Sequence, residues 1–231
     1  MSNLKDNLNI KKNDYVLEVG PGGKPHPRAN ILLEKRFASE DIAKAQRGYA
    51  NEPQTDKKIV YYNGDLFPFQ DNEFDYVICS HVLEHIDACD IEKFVNELQR
   101  VAKGGYLEFP LIYYDYIFDF PEHVTALFYN KSSGIIYLAE KNSVLPTETF
   151  LVRKLYYEAL KNNSASFDFI KELQYLIYQG FEWNGSLQVE KTDKIECLCH
   201  DVDFINSTLK PLPKKSKIQR ICEKWAKFLK I

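Results

Sequence analysis

The sequence predicts an α/β fold built on a doubly wound, mostly parallel sheet, and three observations predict it. Five short apolar runs recur through the first half, "DYVLEVG" (14–20), "ANILLEK" (29–35), "KIVYY" (58–62), "FDYVICS" (74–80) and "GGYLEFP" (104–110). Their near-continuous apolar character suits strands buried on both faces, as parallel strands are. Between the last two lies a stretch of helical period, and strand–helix–strand is the repeating unit of such sheets. At 231 residues, 45% hydrophobic and 27% charged, the chain is long enough for one domain with a sizeable core and has the balance of a water-soluble protein.

In order, the first run stops at Gly20, and Gly22 and Gly23 follow it. Only about nine residues, Pro21 to Ala29, separate the first run from the second. A parallel crossover normally takes a dozen or more with a helix. The segment "KPHPRAN" carries two prolines, so a turn or irregular loop is expected in place of the first helix. In "DIEKFVNELQRVAKG" the apolar residues Ile91, Phe94, Val95, Leu98, Val101 and Ala102 recur at three- and four-residue steps. Asp90 is the expected cap, and Gly104 and Gly105 the expected stop. "EHVTALFYNKSSGIIYLAEK" reads as two strands around the "NKSSG" turn. "TFLVRKLYYEALK" and "FDFIKELQYLIYQ" have helical spacing, and "FEWNGSLQVEKTD" reads as a further strand or hairpin.

Charge and cysteine content narrow the function. Net charge is −3, but residues 210–231 carry eight cationic side chains against one anionic, leaving an acidic body. An acidic body is a poor surface for phosphates, so nucleic acid is not an expected partner. The polar opening "MSNLKDNLNIKKND" and the lack of an eighteen-residue apolar run lead to an expected cytoplasmic location. Five cysteines at irregular spacing argue against a disulfide framework. "CLCH" (197–200) lacks a second ligand pair nearby, so no metal is expected there.

The candidate binding residues gather after the strands. Gly20 and Gly22 offer backbone that a ligand's polar groups can approach closely. The dinucleotide fingerprint fails, because Pro25 stands where its third glycine belongs. Glu34 ends the second run, where a carboxylate can accept both hydroxyls of a ribose. Asp65 in "NGDLFPF" follows the third run, and "SHVLEH" (80–85) follows the fourth. These segments converge on the carboxyl edge of the sheet, where open α/β sheets bind ligands.

With Glu18-x-Gly20-x-Gly22, an acid after the second strand, "GDLFPF", "FDYVICSHVLEH", a helix and "GGYLEFP" in that order, residues 13–111 resemble the class I S-adenosylmethionine-dependent methyltransferases. Within these the chain is similar to a bacterial group with "GPG..PHPRA" and "SHVLEH" motifs. The resemblance implies a Rossmann-like, seven-stranded sheet closed by an antiparallel strand pair, for which the "NKSSG" hairpin is the candidate. It implies a methyltransferase domain over residues 1–210, and the charge and spacing of 211–231 read as a separate basic amphipathic helix. The cofactor would be S-adenosyl-L-methionine. Glu18, Gly20, Pro21 and Gly22 would hold its amino-acid end, Glu34 the ribose, Asp65 and Leu66 the adenine, and Ser80 and His81 would lie beside the sulfonium. One departure is Lys24, which replaces the third glycine of the family's loop.

The spacing His81-x-x-Glu84-His85 also matches a zinc-hydrolase pattern. That pattern needs both imidazoles on one helical face, whereas His81 directly follows a strand and is expected in a turn, so no metal site is expected. His81, His85 and His123 are instead candidate general bases, imidazole being the side chain that titrates near neutrality. The aromatic run "YLEFPLIYYDYIFDF" opens beside the expected pocket, and Tyr113, Tyr114 and Tyr116 are candidates to line the acceptor site.

The implied reaction is methyl transfer to an oxygen or nitrogen of a small-molecule acceptor, sugar and nucleotide-linked metabolites included. A nicotinamide-dependent oxidoreductase and a catalytically silent cofactor-binding module are the alternatives. In the tail, Ile218, Ile221, Cys222, Trp225, Phe228 and Leu229 form one stripe of a basic amphipathic helix, suited either to an anionic membrane surface or to docking on protein.

Overall fold

A computed structural model of the chain describes residues 7–46, 55–118, 120–145 and 176–200, together with the isolated positions Lys154 and Gln174. The described elements belong to one compact unit, Met1–Cys199. The basic tail helix lies outside the described residues, as do "TFLVRKLYYEALK" (except Lys154) and most of "FDFIKELQYLIYQ".

The predicted parallel sheet forms. Strands β1 (Val16–Val19), β2 (Ile31–Lys35), β3 (Lys58–Tyr62), β4 (Tyr76–Ser80), β5 (Gly104–Pro110) and β8 (Tyr178–Asn184) lie in the order β3-β2-β1-β4-β5-β8. All neighbours are parallel except β8, which runs antiparallel to β5 with Leu107 opposite Phe181. Strands β1, β4 and β5 are buried at nearly every position, as their apolar sequences require. The chain leaves β1 to one side for β2 and later returns on the other for β4, which makes the end of β1 the switch point of the sheet.

The helix Ile91–Val101 carries the expected stripe: Ile91, Val95, Leu98 and Val101 are fully buried against the sheet. Burial of each such side chain stabilises the fold by about 1.5–3 kcal/mol. Its ends differ from expectation. Asp90 occupies the N-cap position, but its side chain makes no capping bond. The helix stops at Val101, with Ala102 already extended. Gly104 and Gly105 belong to β5, where close packing requires them: a Cβ on Gly105 would stand 2.2 Å from the Val77 carbonyl, and one on Gly104 would stand 2.8 Å from that of Trp183.

The "NKSSG" hairpin exists as β6 (Thr125–Asn130) and β7 (Ile135–Glu140), with Asn130 opposite Ile135. It does not close the main sheet. It forms a second, three-stranded sheet with β9 (Gln188–Lys191), which pairs parallel to β7. The main sheet accordingly has six strands among the described residues, and a single antiparallel strand, β8, stands where the terminal pair was expected. The physical reason lies in the "NGS" segment (184–186): Gly185 takes φ +85°, and the chain leaves β8 for the partner sheet instead of folding back on itself.

Between β1 and β2 there is no helix, as the two prolines predicted. The Glu18 carboxylate accepts the His26 N–H at 2.6 Å, and the Ala29 N–H reaches the His26 carbonyl at 3.1 Å. Asn30 fixes the loop's far end, donating its N–H to the Val16 carbonyl and accepting the Val16 N–H, both at 2.8 Å.

Candidate functional site

The carboxyl ends of β1, β2 and β3 make the first half of the site. Gly20 takes φ +63° and donates its N–H to the Leu33 carbonyl at 2.9 Å, tying the end of β1 to β2. A Cβ there would lie 2.5 Å from a Val82 methyl, so the turn after β1 touches the turn after β4 through a position only glycine fits. Gly22, at φ +59°, meets nothing within 4 Å of a built Cβ, while Pro21 between them is buried. This is backbone open to a ligand beside backbone packed against protein.

Glu34 is 5% exposed at the end of β2, opposite Tyr61 of β3. Its charge, with burial as the larger cause, raises the Tyr62 hydroxyl well above the ordinary phenol. Asp65 and Leu66 are exposed on the loop after β3, and Asp65 stands 3.9 Å from Lys93. Their loop is held from behind by an ion pair that sequence reasoning missed. Arg100 bonds both oxygens of Glu97 at 2.7 Å and also the carbonyls of Phe67 and Phe69, while Glu97 accepts the Phe67 N–H.

The second half lies past β4, where ionisable groups crowd together. Ser80 ends β4 opposite Glu108 of β5. His81 takes φ +57°, in the turn expected of it, and its N–H bonds the Glu108 carbonyl at 2.8 Å. Its Nε2 meets the Glu108 carboxylate at 2.8 Å and its Nδ1 stands 3.3 Å from Glu84, with both carboxylates 1% exposed. Burial opposes the charge on His81, but the two carboxylates win and raise its pKa to about 9. His81 is thus a cation at neutral pH and a hydrogen-bond donor, which removes it from the candidate bases. Tyr106 donates its hydroxyl to the other Glu108 oxygen.

His85 and His123 approach the far side of Glu84, with ring centroids 5.0 Å apart. His85 bonds the Glu122 carbonyl through Nδ1 at 2.9 Å, and burial lowers its pKa, keeping it neutral. His123 bonds Asp115 through Nδ1 at 2.8 Å. Tyr114 stacks near His123 with Phe120 and also contacts Phe118 and Tyr178. Tyr113 is half-buried in the core, whereas Tyr116 is 45% exposed. The structure therefore brings Tyr114, His85 and His123 together and leaves Tyr116 outside that group.

Glu84, Glu108 and Asp115 were the residues the sequence reading missed. Each had a signal: a carboxylate inside a fully buried strand ("YLEFP"), inside an aromatic helix ("IYYDYIF"), or between two histidines. A buried acid persists only with a partner, so each of these predicts an unseen cation or donor.

Against this geometry, the sequence pattern of the family described as "Methyltransferase domain" matches residues 17–109, from β1 through β5. Over residues 17–109 the chain is similar to a methyltransferase domain. A probable methyltransferase of Aspergillus luteorubrus is 33% identical over 110 residues, which is 42% of this chain and 39% of that protein. The chain thus spans about two fifths of the curated relative it matches. Among solved structures, a SAM-dependent methyltransferase of Thermotoga maritima overlaps at a TM-score of 0.30 with 21% identity, covering 45% of this chain and 46% of that one. An S-adenosylmethionine-dependent methyltransferase of Mesorhizobium loti overlaps at 0.31 with 15% identity, covering 46% and 50%.

The methyltransferase domain's donor set suits its cofactor. A buried acid at the end of β2 matches a ribose diol, and the open backbone at Gly22 leaves room for the amino-acid end. No helix among the described residues is long and apolar enough to cross a membrane.

Proposed function

We propose that the protein transfers a methyl group from S-adenosylmethionine to an oxygen or nitrogen of a small-molecule acceptor, with sugars and nucleotide-linked metabolites as the leading class. The observation that carries this reading is the rim itself: a left-handed Gly20 locked against Val82, and a buried Glu34 one strand away, at the sheet's switch point. When bound, the cofactor supplies an electrophilic methyl on a positive sulfur. The protein's work is alignment, exclusion of water and placement of charge.

In this reading Glu34 accepts the ribose hydroxyls, and Gly20, Pro21 and Gly22 flank the amino-acid end. Glu18 acts by holding the loop through the His26 amide. Asp65 and Leu66 meet the adenine on a loop braced by Arg100. Ser80 and His81 stand nearest the sulfur. A cationic His81 beside a sulfonium would repel it, but Glu108 and Glu84 leave that trio with a net negative charge, which favours a cationic cofactor. On the acceptor side, Tyr113, Tyr114 and Tyr116 offer aromatic surface. His85 keeps a proton-free nitrogen, and with His123 it is a candidate to receive the acceptor's proton. Free Cys79, Cys89, Cys197 and Cys199 suit a reducing, cytoplasmic setting.

The test is transfer itself. Full-length protein incubated with methyl-labelled S-adenosylmethionine and a small-metabolite extract should place label in the metabolite fraction, and Glu34→Gln should slow it at limiting cofactor. Absence of transfer from protein that binds S-adenosylhomocysteine would make this a silent binding module. Preferential binding of NAD would make it an oxidoreductase.

A further inference from the structure

We infer that Glu84, His85 and His123 form a binding site for one divalent first-row transition metal ion of the zinc class. One ligating atom from each of the three lies within 4.8 Å of the others. His85 Nε2 stands 4.0 Å from Glu84 Oε1. Bonds of about 2.0–2.1 Å place tetrahedral ligands roughly 3.3 Å apart, so small side-chain rotations close the set.

The arrangement behind the rings points the same way. A carbonyl oxygen only accepts, so His85 Nδ1, bonded to the Glu122 carbonyl, must carry that ring's proton and Nε2 is left as a bare lone pair. His123 Nδ1 faces the Asp115 carboxylate at 2.8 Å, which assigns its proton likewise and leaves Nε2 as the nitrogen it can offer. Metal-ligating histidines are typically oriented in this way, by a carbonyl or carboxylate on the opposite nitrogen. Asp115 is itself held by Lys141 at 3.9 Å.

The second, independent observation is Glu84. Its carboxylate is 1% exposed; Oε1 is paired on one side with His81 Nδ1 at 3.3 Å, and Oε2 accepts no hydrogen bond. His81 is not a ligand: it pairs with Glu84 through Nδ1 and with Glu108 through Nε2, and so offers no lone pair to an ion. The ligand set therefore differs from the His81-x-x-Glu84-His85 pattern in the sequence: one histidine comes from a distant segment, and His81 stays outside. Two nitrogens and one carboxylate oxygen leave a fourth position open. With the ion bound, His85 and His123 serve as ligands and no longer as bases. The site does not depend on the methyl-transfer reading.

Untagged full-length protein, stripped with chelator, is titrated with Zn2+ alone and with Co2+ alone. The expected result is one saturable site per chain, with visible Co2+ bands of a four- or five-coordinate ion. No thiolate charge-transfer band should appear. His123→Asn and Glu84→Gln should each weaken Zn2+ at least tenfold, while circular dichroism shows them folded. A Cys197→Ser/Cys199→Ser double variant should bind as the parent does. Should a ligand variant fail to fold, His85→Gln and the Co2+ spectrum of the parent protein still decide. Absence of saturable binding, a thiolate band, or affinity lost with the cysteines and unchanged in His123→Asn overturns the inference.

Discussion

The two halves of the rim are built differently. The half formed by the ends of β1, β2 and β3 combines open backbone with two carboxylates: Gly20 and Gly22 follow β1, the buried Glu34 stands near the end of β2, and the exposed Asp65 follows β3 on a loop braced by Arg100. The half past β4 is a packed cluster in which His81, Glu84, His85, Glu108, Asp115 and His123 are all part-buried or buried, and each contacts another member. The first half suits a ligand shared across many proteins, because open backbone and one acid recognise groups that never vary. The second half fixes charge states, as the cationic His81 between two buried carboxylates shows.

Variants on the open half should change S-adenosylhomocysteine binding and little else, whereas loss of a packed-half carboxylate should change stability and leave binding of that uncharged thioether nearly intact. The largest effect is expected at Gly20. Valine there would combine φ +63°, an outlier for a β-branched residue, with a Cβ 2.5 Å from Val82. S-adenosylhomocysteine affinity by calorimetry should fall by roughly 100-fold or more, the scale of a misplaced contact. Gly22→Ala, with open space around it, should lose far less. Next is Glu34→Gln, which weakens a charge-assisted bond worth about 1.5–3 kcal/mol, and so should reduce affinity about 10- to 100-fold.

On the packed half, Glu108→Gln should cost about 1–3 kcal/mol of stability in urea, the price of a poorly satisfied buried polar group, and leave S-adenosylhomocysteine affinity nearly unchanged. If that variant instead loses S-adenosylhomocysteine, which carries no sulfonium charge, while remaining stable, the division between the halves fails.

The smallest effect concerns the brace. Arg100 holds the Glu97 carboxyl below its usual range. A depressed folded pKa gives stability that is present above the unfolded value of about 4.3 and lost as pH falls through the folded one. Parental protein should therefore lose about 1 kcal/mol more than Glu97→Gln between pH 5 and pH 3, as read by denaturant midpoints.

The same contrast governs what the sequence made legible. Each element of the open half lies just after its own strand, so "VLEVGPG", "ILLEK" and "NGDLF" announced it locally. The packed half is assembled across distance: Glu84 meets His123 from 39 positions away, and His81 meets Glu108 from 27. Periodicity cannot reveal such pairings. The hairpin at 125–140 was read correctly as two strands but assigned to the wrong sheet, since alternation fixes a strand's faces and says nothing of its neighbours.

The most direct test of the central claim, that the rim at the switch point receives an adenosyl sulfur ligand, is calorimetric titration of the full chain with S-adenosylhomocysteine and, separately, with NAD. The account predicts one saturable S-adenosylhomocysteine site that disappears in Gly20→Val, and no heat with NAD. A parental chain that ignores S-adenosylhomocysteine, or a Gly20→Val chain that binds it undiminished, would contradict it.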